Sequence, residues 1–78
     1  MNIGKNIRRL RRRSDLTQCQ LADKLGVTAQ AVSKWENNMC IPDVALLPEI
    51  AELFGVSIDE LFGDAAERPA DINKNQQQ

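Results

Sequence analysis

Residues 16–36 read LTQCQLADKLGVTAQAVSKWE, a stretch that contains two helix starts and one helix stop. Thr17 as N-cap with Gln20 three residues on makes a capping box, and Leu16 before the cap can staple onto Leu21. Gly26 supplies the positive φ that a helix C-terminus prefers, and Val27-Thr28 repeats the staple and cap toward Val32. The spacing predicts one helix from Thr17 to about Leu25 and a second from Thr28 to about Asn37, joined by a tight turn. Wound at about 100° per residue, the second helix collects Ala31, Val32 and Trp35 on one side. Ala29, Gln30, Ser33, Lys34 and Asn37 collect on the other, so Trp35 reads as core and the opposite edge as a polar face presented to solvent. The first helix buries Leu21, Ala22 and Leu25, and small Ala22 allows another helix axis to come close.

Helical spacing continues in both directions. Upstream, Ile3, Ile7 and Leu10 share one face of a helix expected to end near Ser14-Asp15. Downstream of a loop from Asn38 to Asp43, Leu47, Ile50, Ala51 and Phe54 form another face, with Pro48 expected at the first helical position, where its missing N–H is harmless. With Asp43 as the cap instead, Pro48 would sit awkwardly inside the helix. Gly55 stops that helix, and Val56-Ser57 with Glu60 and Leu61 opens a short last one to about Phe62. The expected fold is therefore all-α, a compact five-helix bundle over residues 1–63. Residues 64–78, DAAERPADINKNQQQ, have almost no apolar content and are expected to be a disordered tail, or a linker to a further C-terminal domain through which an effector or protein partner would act.

Composition narrows the function. A chain of 78 residues with 42% hydrophobic and 27% charged positions has room for one small domain. Without histidine it lacks the usual neutral-pH proton shuttle and the common nucleophile pairs, and no phosphate loop or metal-ligand cluster appears, so neither catalysis nor a metal or cofactor is expected. Cys19 and Cys40 read as reduced thiols of a cytoplasmic protein, and no apolar run approaches the ~18 residues of a membrane span. The net charge of −1 conceals a segregation. Lys5, Arg8, Arg9, Arg11, Arg12 and Arg13 stand near the start without an acid, whereas Ile41 to Glu67 holds acids and no base. One end of the chain is a positive pole.

The polar edge of the second helix of the pair carries side chains suited to the major groove of DNA. Glutamine can bond adenine at N7 and N6, lysine can address guanine, and alanine can touch a thymine methyl. LTQCQLADKLGVTAQAVSKWE resembles the helix-turn-helix of the phage-repressor and Cro-type family, also called the xenobiotic-response-element type. Leu21, Ala22, Leu25, Gly26, Val27, Val32 and Trp35 meet its pattern of apolar, small and glycine positions. NIGKNIRRLRRRSDLTQ and LLPEIAELFGVSIDELF resemble its flanking helices, so the likeness covers about Met1 to Gly63. It implies a lambda-repressor-like bundle that binds double-stranded DNA.

Carried over by position, Ala29, Gln30, Ser33 and Lys34 are the expected base-reading residues. Thr17, Gln18, Thr28 and Asn37 are expected to hold phosphates, with Arg9 and Arg12 adding contacts from the first helix, and Arg11 and Glu36 are expected to form an internal ion pair. One departure stands out: where relatives often carry a glycine and then a basic residue after the reading helix, this chain has Asn38 and Met39, which removes one phosphate contact. The resemblance implies a sequence-specific transcriptional regulator, a repressor, bound as a homodimer to a palindromic operator with half-sites about one helical turn apart. Two alternatives stay open: an antitoxin using the same fold, and a protein-interaction module working through the acidic surface of residues 41–67.

Overall fold

In the computed structural model, which describes residues 3–63, the helices run α1 (Ile3–Arg13), α2 (Gln18–Leu25), α3 (Ala29–Glu36), α4 (Leu47–Phe54) and α5 (Ile58–Phe62). No strand occurs among the described residues. The expected tail from Asp64 to Gln78 lies outside them.

One local device closes the first four helices. Asp15, Gly26, Asn38 and Gly55 adopt φ of 59°, 73°, 61° and 68°. The residue after each, Leu16, Val27, Met39 or Val56, donates its N–H back to the carbonyl of Arg11, Ala22, Lys34 or Ala51, which satisfies a carbonyl the helix leaves unpaired. Three of these closures lead straight into a cap. The side chains of Thr17, Thr28 and Ser57 accept from the N–H groups of Gln20, Ala31 and Glu60, so one helix ends and the next begins within a few residues. The closure at Asn38-Met39 is followed by Cys40, which caps nothing, and the chain runs on as a loop.

Before α4 the structure uses both of the starts that the sequence offers. Asp43 accepts from the Ala45 N–H at 3.5 Å and opens a 3-10 turn over Val44–Leu46. Leu47 then begins the α-helix and places Pro48 second rather than first, still within the turn whose N–H groups need no partner.

Ile3, Ile7 and Leu10 of α1 meet Leu21, Ala22 and Leu25 of α2, Val32 and Trp35 of α3, Leu47, Ile50 and Ala51 of α4, and Leu61 of α5 in one core. Full burial of one such aliphatic side chain contributes ~1.5–3 kcal/mol. Two small or polar residues of α1 set how it lies. A Cβ on Gly4 would collide with the carbonyl oxygen of Trp35, so glycine there is what lets α1 cross the end of α3. Asn6 is fully buried, and its Nδ2 donates to the carbonyls of Leu61 at 2.8 Å and Gly63 at 3.1 Å, tying α1 to the end of α5.

Candidate nucleic-acid interface

Val32 and Trp35 anchor α3 in the core, and that fixes which side of the helix faces outward. Gln30, Lys34 and Asn37 are exposed, while Ala29 and Ser33 are half-buried beside them. The expected reading residues therefore share one solvent-facing surface. The Thr28 side chain accepts from the Ala31 N–H at 3.1 Å and retains its own O–H for a ligand. Thr17, also exposed, closes the capping box reciprocally with Gln20 at 3.0 and 2.9 Å.

Behind this surface lies a cluster built on Glu36, whose side chain is wholly buried. Arg11 grips it as a fork, Nε donating to Oε2 at 2.7 Å and Nη2 to Oε1 at 3.1 Å, and Arg11 Nη1 donates to the Leu16 carbonyl at 2.8 Å. Gln18 Nε2 donates to Glu36 Oε1 at 3.1 Å, and Arg8 Nε approaches the same oxygen at 3.5 Å. Burial by itself would push the Glu36 carboxyl up. The hydrogen bonds from Arg11, Gln18 and Arg8, with the Arg11 charge, outweigh it and hold the carboxyl below the usual range. The cluster joins α1, the start of α2 and the last turn of α3, so α3 is held at its C-terminal end as well as by its core face.

The remaining expected phosphate residues divide between the start of α2 and the basic groove along α1. Gln18 is half-buried, with its amide nitrogen turned to Glu36 rather than free. Arg12 is exposed on α1, whereas Arg9 Nη2 donates to Asn6 Oδ1 at 3.2 Å on the flank facing α5. Lys5, Arg8, Arg9, Arg12 and Arg13 line one open groove of about 490 Å³ along α1. Among the described residues no group of three or more cysteines or carboxylates is placed to hold a metal ion, and no helix is long and apolar enough to cross a membrane.

Sequence reasoning missed Arg8 as a partner of Glu36, and Gly4 and Asn6 as fixed points of α1. A signal existed for the first two, because Gly4, Arg8 and Arg11 follow an i, i+4, i+7 spacing and so share a helix face.

Two capped helices joined by a tight turn, the second presenting a polar edge, define a helix-turn-helix. The helix-turn-helix family pattern matches residues 7–61. The chain belongs to this family, in its phage-repressor and xenobiotic-response-element branch. It is 41% identical over 62 residues to the HTH-type transcriptional activator BcrR of Enterococcus faecalis, covering 80% of this chain and 30% of that protein. It is 36% identical over 62 residues to the antitoxin PezA of Streptococcus pneumoniae, covering 80% and 39%. The chain thus spans well under two thirds of the length of either curated relative. Among solved structures, the P22 c2 repressor in complex with a synthetic operator superposes with a TM-score of 0.73 and 28% identity, over 78% of this chain and 92% of that one.

Proposed function

We propose that this chain is a sequence-specific double-stranded DNA-binding transcriptional regulator, acting as a repressor, with α3 as the element that enters the major groove. The observation that carries it is the surface of α3. Gln30 and Lys34 stand exposed on the side opposite Val32 and Trp35, on a helix held by its core face and at its C-terminal end. Gln30 would read an adenine edge, Lys34 a guanine or a phosphate, and half-buried Ala29 and Ser33 would admit a close approach of the bases. Thr17, Thr28 and Asn37 would hold phosphates. Gln18 would do so with the amide hydrogen that Glu36 leaves free, and Arg12 and Arg9 would add positive charge from α1. Likeness to a repressor in complex with a synthetic operator supports the assignment.

The proposed working form is a homodimer on a palindromic operator. Met39 and Ile41, in the loop that follows α3, and Val44, at the start of the 3-10 turn, are 71%, 60% and 75% exposed and offer an apolar contact for a second copy. Selection of binding sites from random DNA tests the proposal. Recovery of a palindrome whose preference relaxes at one symmetric pair of positions in Gln30→Ala supports it, and no enrichment refutes it. The likeness to PezA favours a second reading, an antitoxin that holds a toxin through another surface. Co-purification of a stoichiometric partner encoded beside this protein would establish that one.

A further inference from the structure

The three residues after α3, Asn37, Asn38 and Met39, carry no charge, so the chain places no cation directly beyond the C-terminal end of the reading helix. The structure brings one there from elsewhere. Arg8 Nη2 lies 3.5 Å from Asn37 Oδ1, and Arg8 Nε lies 3.5 Å from Glu36 Oε1. Both contacts are long, and the Arg8 side chain is 43% exposed, against 12% for Arg11. Arg11 and Gln18 already supply Glu36 with shorter bonds of 2.7 to 3.1 Å, so the cluster is satisfied without Arg8. A guanidinium has five N–H donors. Nη1 of Arg8 takes no partner among the described residues.

Helix geometry sets Arg8 at one margin of the basic groove that it shares with Lys5, Arg9, Arg12 and Arg13. Gly4 and Arg11 both touch the region of α3, at Trp35 and Glu36, and Arg8 lies within about 60° of each around α1. Arg9 lies about 100° further round, beside Asn6 and the end of α5. The basic face of α1 therefore has one edge at the reading helix, and Arg8 occupies it.

We propose that Arg8 is a phosphate-binding residue of the DNA interface, positioned by Glu36 and Asn37 so that it supplies the cation missing after α3. This rests on the reading of α3 as the groove-entering helix. A backbone phosphate lying over Asn37 meets the free donors of Arg8 and the Asn37 amide together, and their long mutual contact gives way to a charge-assisted bond. Arg8 is blind to sequence in this role, and it fixes where along the groove Gln30 and Lys34 sit.

The test is a salt titration of DNA affinity on a selected operator and on an unrelated duplex, for the parent, Arg8→Ala, Arg8→Lys, Arg9→Ala and Lys34→Ala, with thermal unfolding of each. Arg8→Ala is expected to weaken both duplexes by on the order of tenfold and to lower the salt slope by about one unit. Its melting temperature is expected to stay near the parent's, Arg8→Lys to recover most of the slope, and Arg9→Ala to lose less than Arg8→Ala. If Lys34→Ala weakens binding while Arg8→Ala leaves affinity and slope unchanged, the proposal for Arg8 is overturned and the reading of α3 stands. A fall in melting temperature without a change in slope assigns Arg8 to the Glu36 cluster alone and also overturns it. A parent that binds neither duplex overturns both.

Discussion

Gln30 and Glu36 stand on the same short helix, yet one is exposed and the other almost wholly buried, and their predicted behaviour differs accordingly. Gln30→Ala removes a side chain that touches nothing in the core, so the melting temperature should stay within a degree or two of the parent's, on the order of the ±0.5 kcal/mol typical of surface changes. What it should lose is discrimination at one symmetric pair of operator positions, ~1–3 kcal/mol per base. An unchanged selected sequence would remove Gln30 from the reading surface. Glu36 behaves oppositely. Glu36→Ala or Arg11→Ala strands one half of a buried pair, which costs ~3–5 kcal/mol, whereas the double change should cost less than the sum of the two. Thermal unfolding of the four proteins checks this, and strict additivity would mean that the fork is not formed in solution. Because folding lowers the Glu36 pKa, its contribution is fully present above the carboxylate range of the unfolded chain and is lost as the pH falls through the lower folded value. The stability gap between the parent and Glu36→Gln should therefore narrow on acidification. The resemblance made the pairing of Arg11 with Glu36 legible. The face that Arg8 shares with Arg11 hinted at its entry, but that of Gln18 was not legible, because it depends on where three helices cross, and no periodicity along one helix encodes that crossing.

At the scale of elements, the turns were the most legible part of the chain. Leu16-Thr17, Val27-Thr28 and Val56-Ser57 announced three helix starts, and the structure places caps at all three. The 3-10 turn was harder, because Asp43 and Pro48 gave competing starts and the sequence offered no reason to use both. Gly26 is the sharpest point to test. Its φ of 73° is costly for a residue with a Cβ, and nothing stands within 4 Å of where that Cβ would be, so any effect is conformational. Gly26→Ala should destabilise by ~1–2 kcal/mol, and Gly26→Asn by less, since asparagine tolerates this region. Equal losses in chemical denaturation would contradict the conformational account. Gly4 is the contrasting case. Inside α1, alanine would gain up to ~1 kcal/mol in helix propensity, but its Cβ would strike the Trp35 carbonyl, and displacing backbone costs ~1–3 kcal/mol. The collision should win, making Gly4→Ala destabilising. A stabilised variant would show that α1 does not lie so close to α3. The spacing of Gly4, Arg8 and Arg11 put Gly4 on the face toward α3, but the need for a glycine there was not legible, because the constraint comes from a residue some thirty positions away.

At the scale of the molecule, charge is divided: the groove along α1 is basic, while α4, α5 and the turn before them carry Asp43, Glu49, Glu52, Asp59 and Glu60 without a base. A duplex approaching the α3 surface is attracted at one end and repelled at the other, which orients the protein but limits how tightly a single copy can bind. In the proposed homodimer a second copy offsets this limit, and the segment after α3 would be the surface that recruits it. Met39 donates its N–H to the Lys34 carbonyl at 2.9 Å, so an apolar contact through Met39, Ile41 and Val44 would be rigidly tied to the reading helix. It would set the separation of two such helices, which must match half-sites ~34–36 Å apart on one face of the duplex. Changing all three residues to serine should leave the melting temperature close to the parent's, since none is buried. Binding to an isolated half-site should be unchanged, and binding to the full palindrome should lose its cooperativity. Cys40, exposed between Met39 and Ile41, gives an independent reading of the same contact. A disulfide requires Cα atoms about 4.4–6.8 Å apart, so mild oxidation should link two copies through Cys40 faster when palindromic DNA is present, and not at all in Cys40→Ser. If the triple variant binds the palindrome as cooperatively as the parent and DNA does not accelerate cross-linking, two copies meet elsewhere, and the exposed loop after α3 is not what sets the spacing of the reading helices.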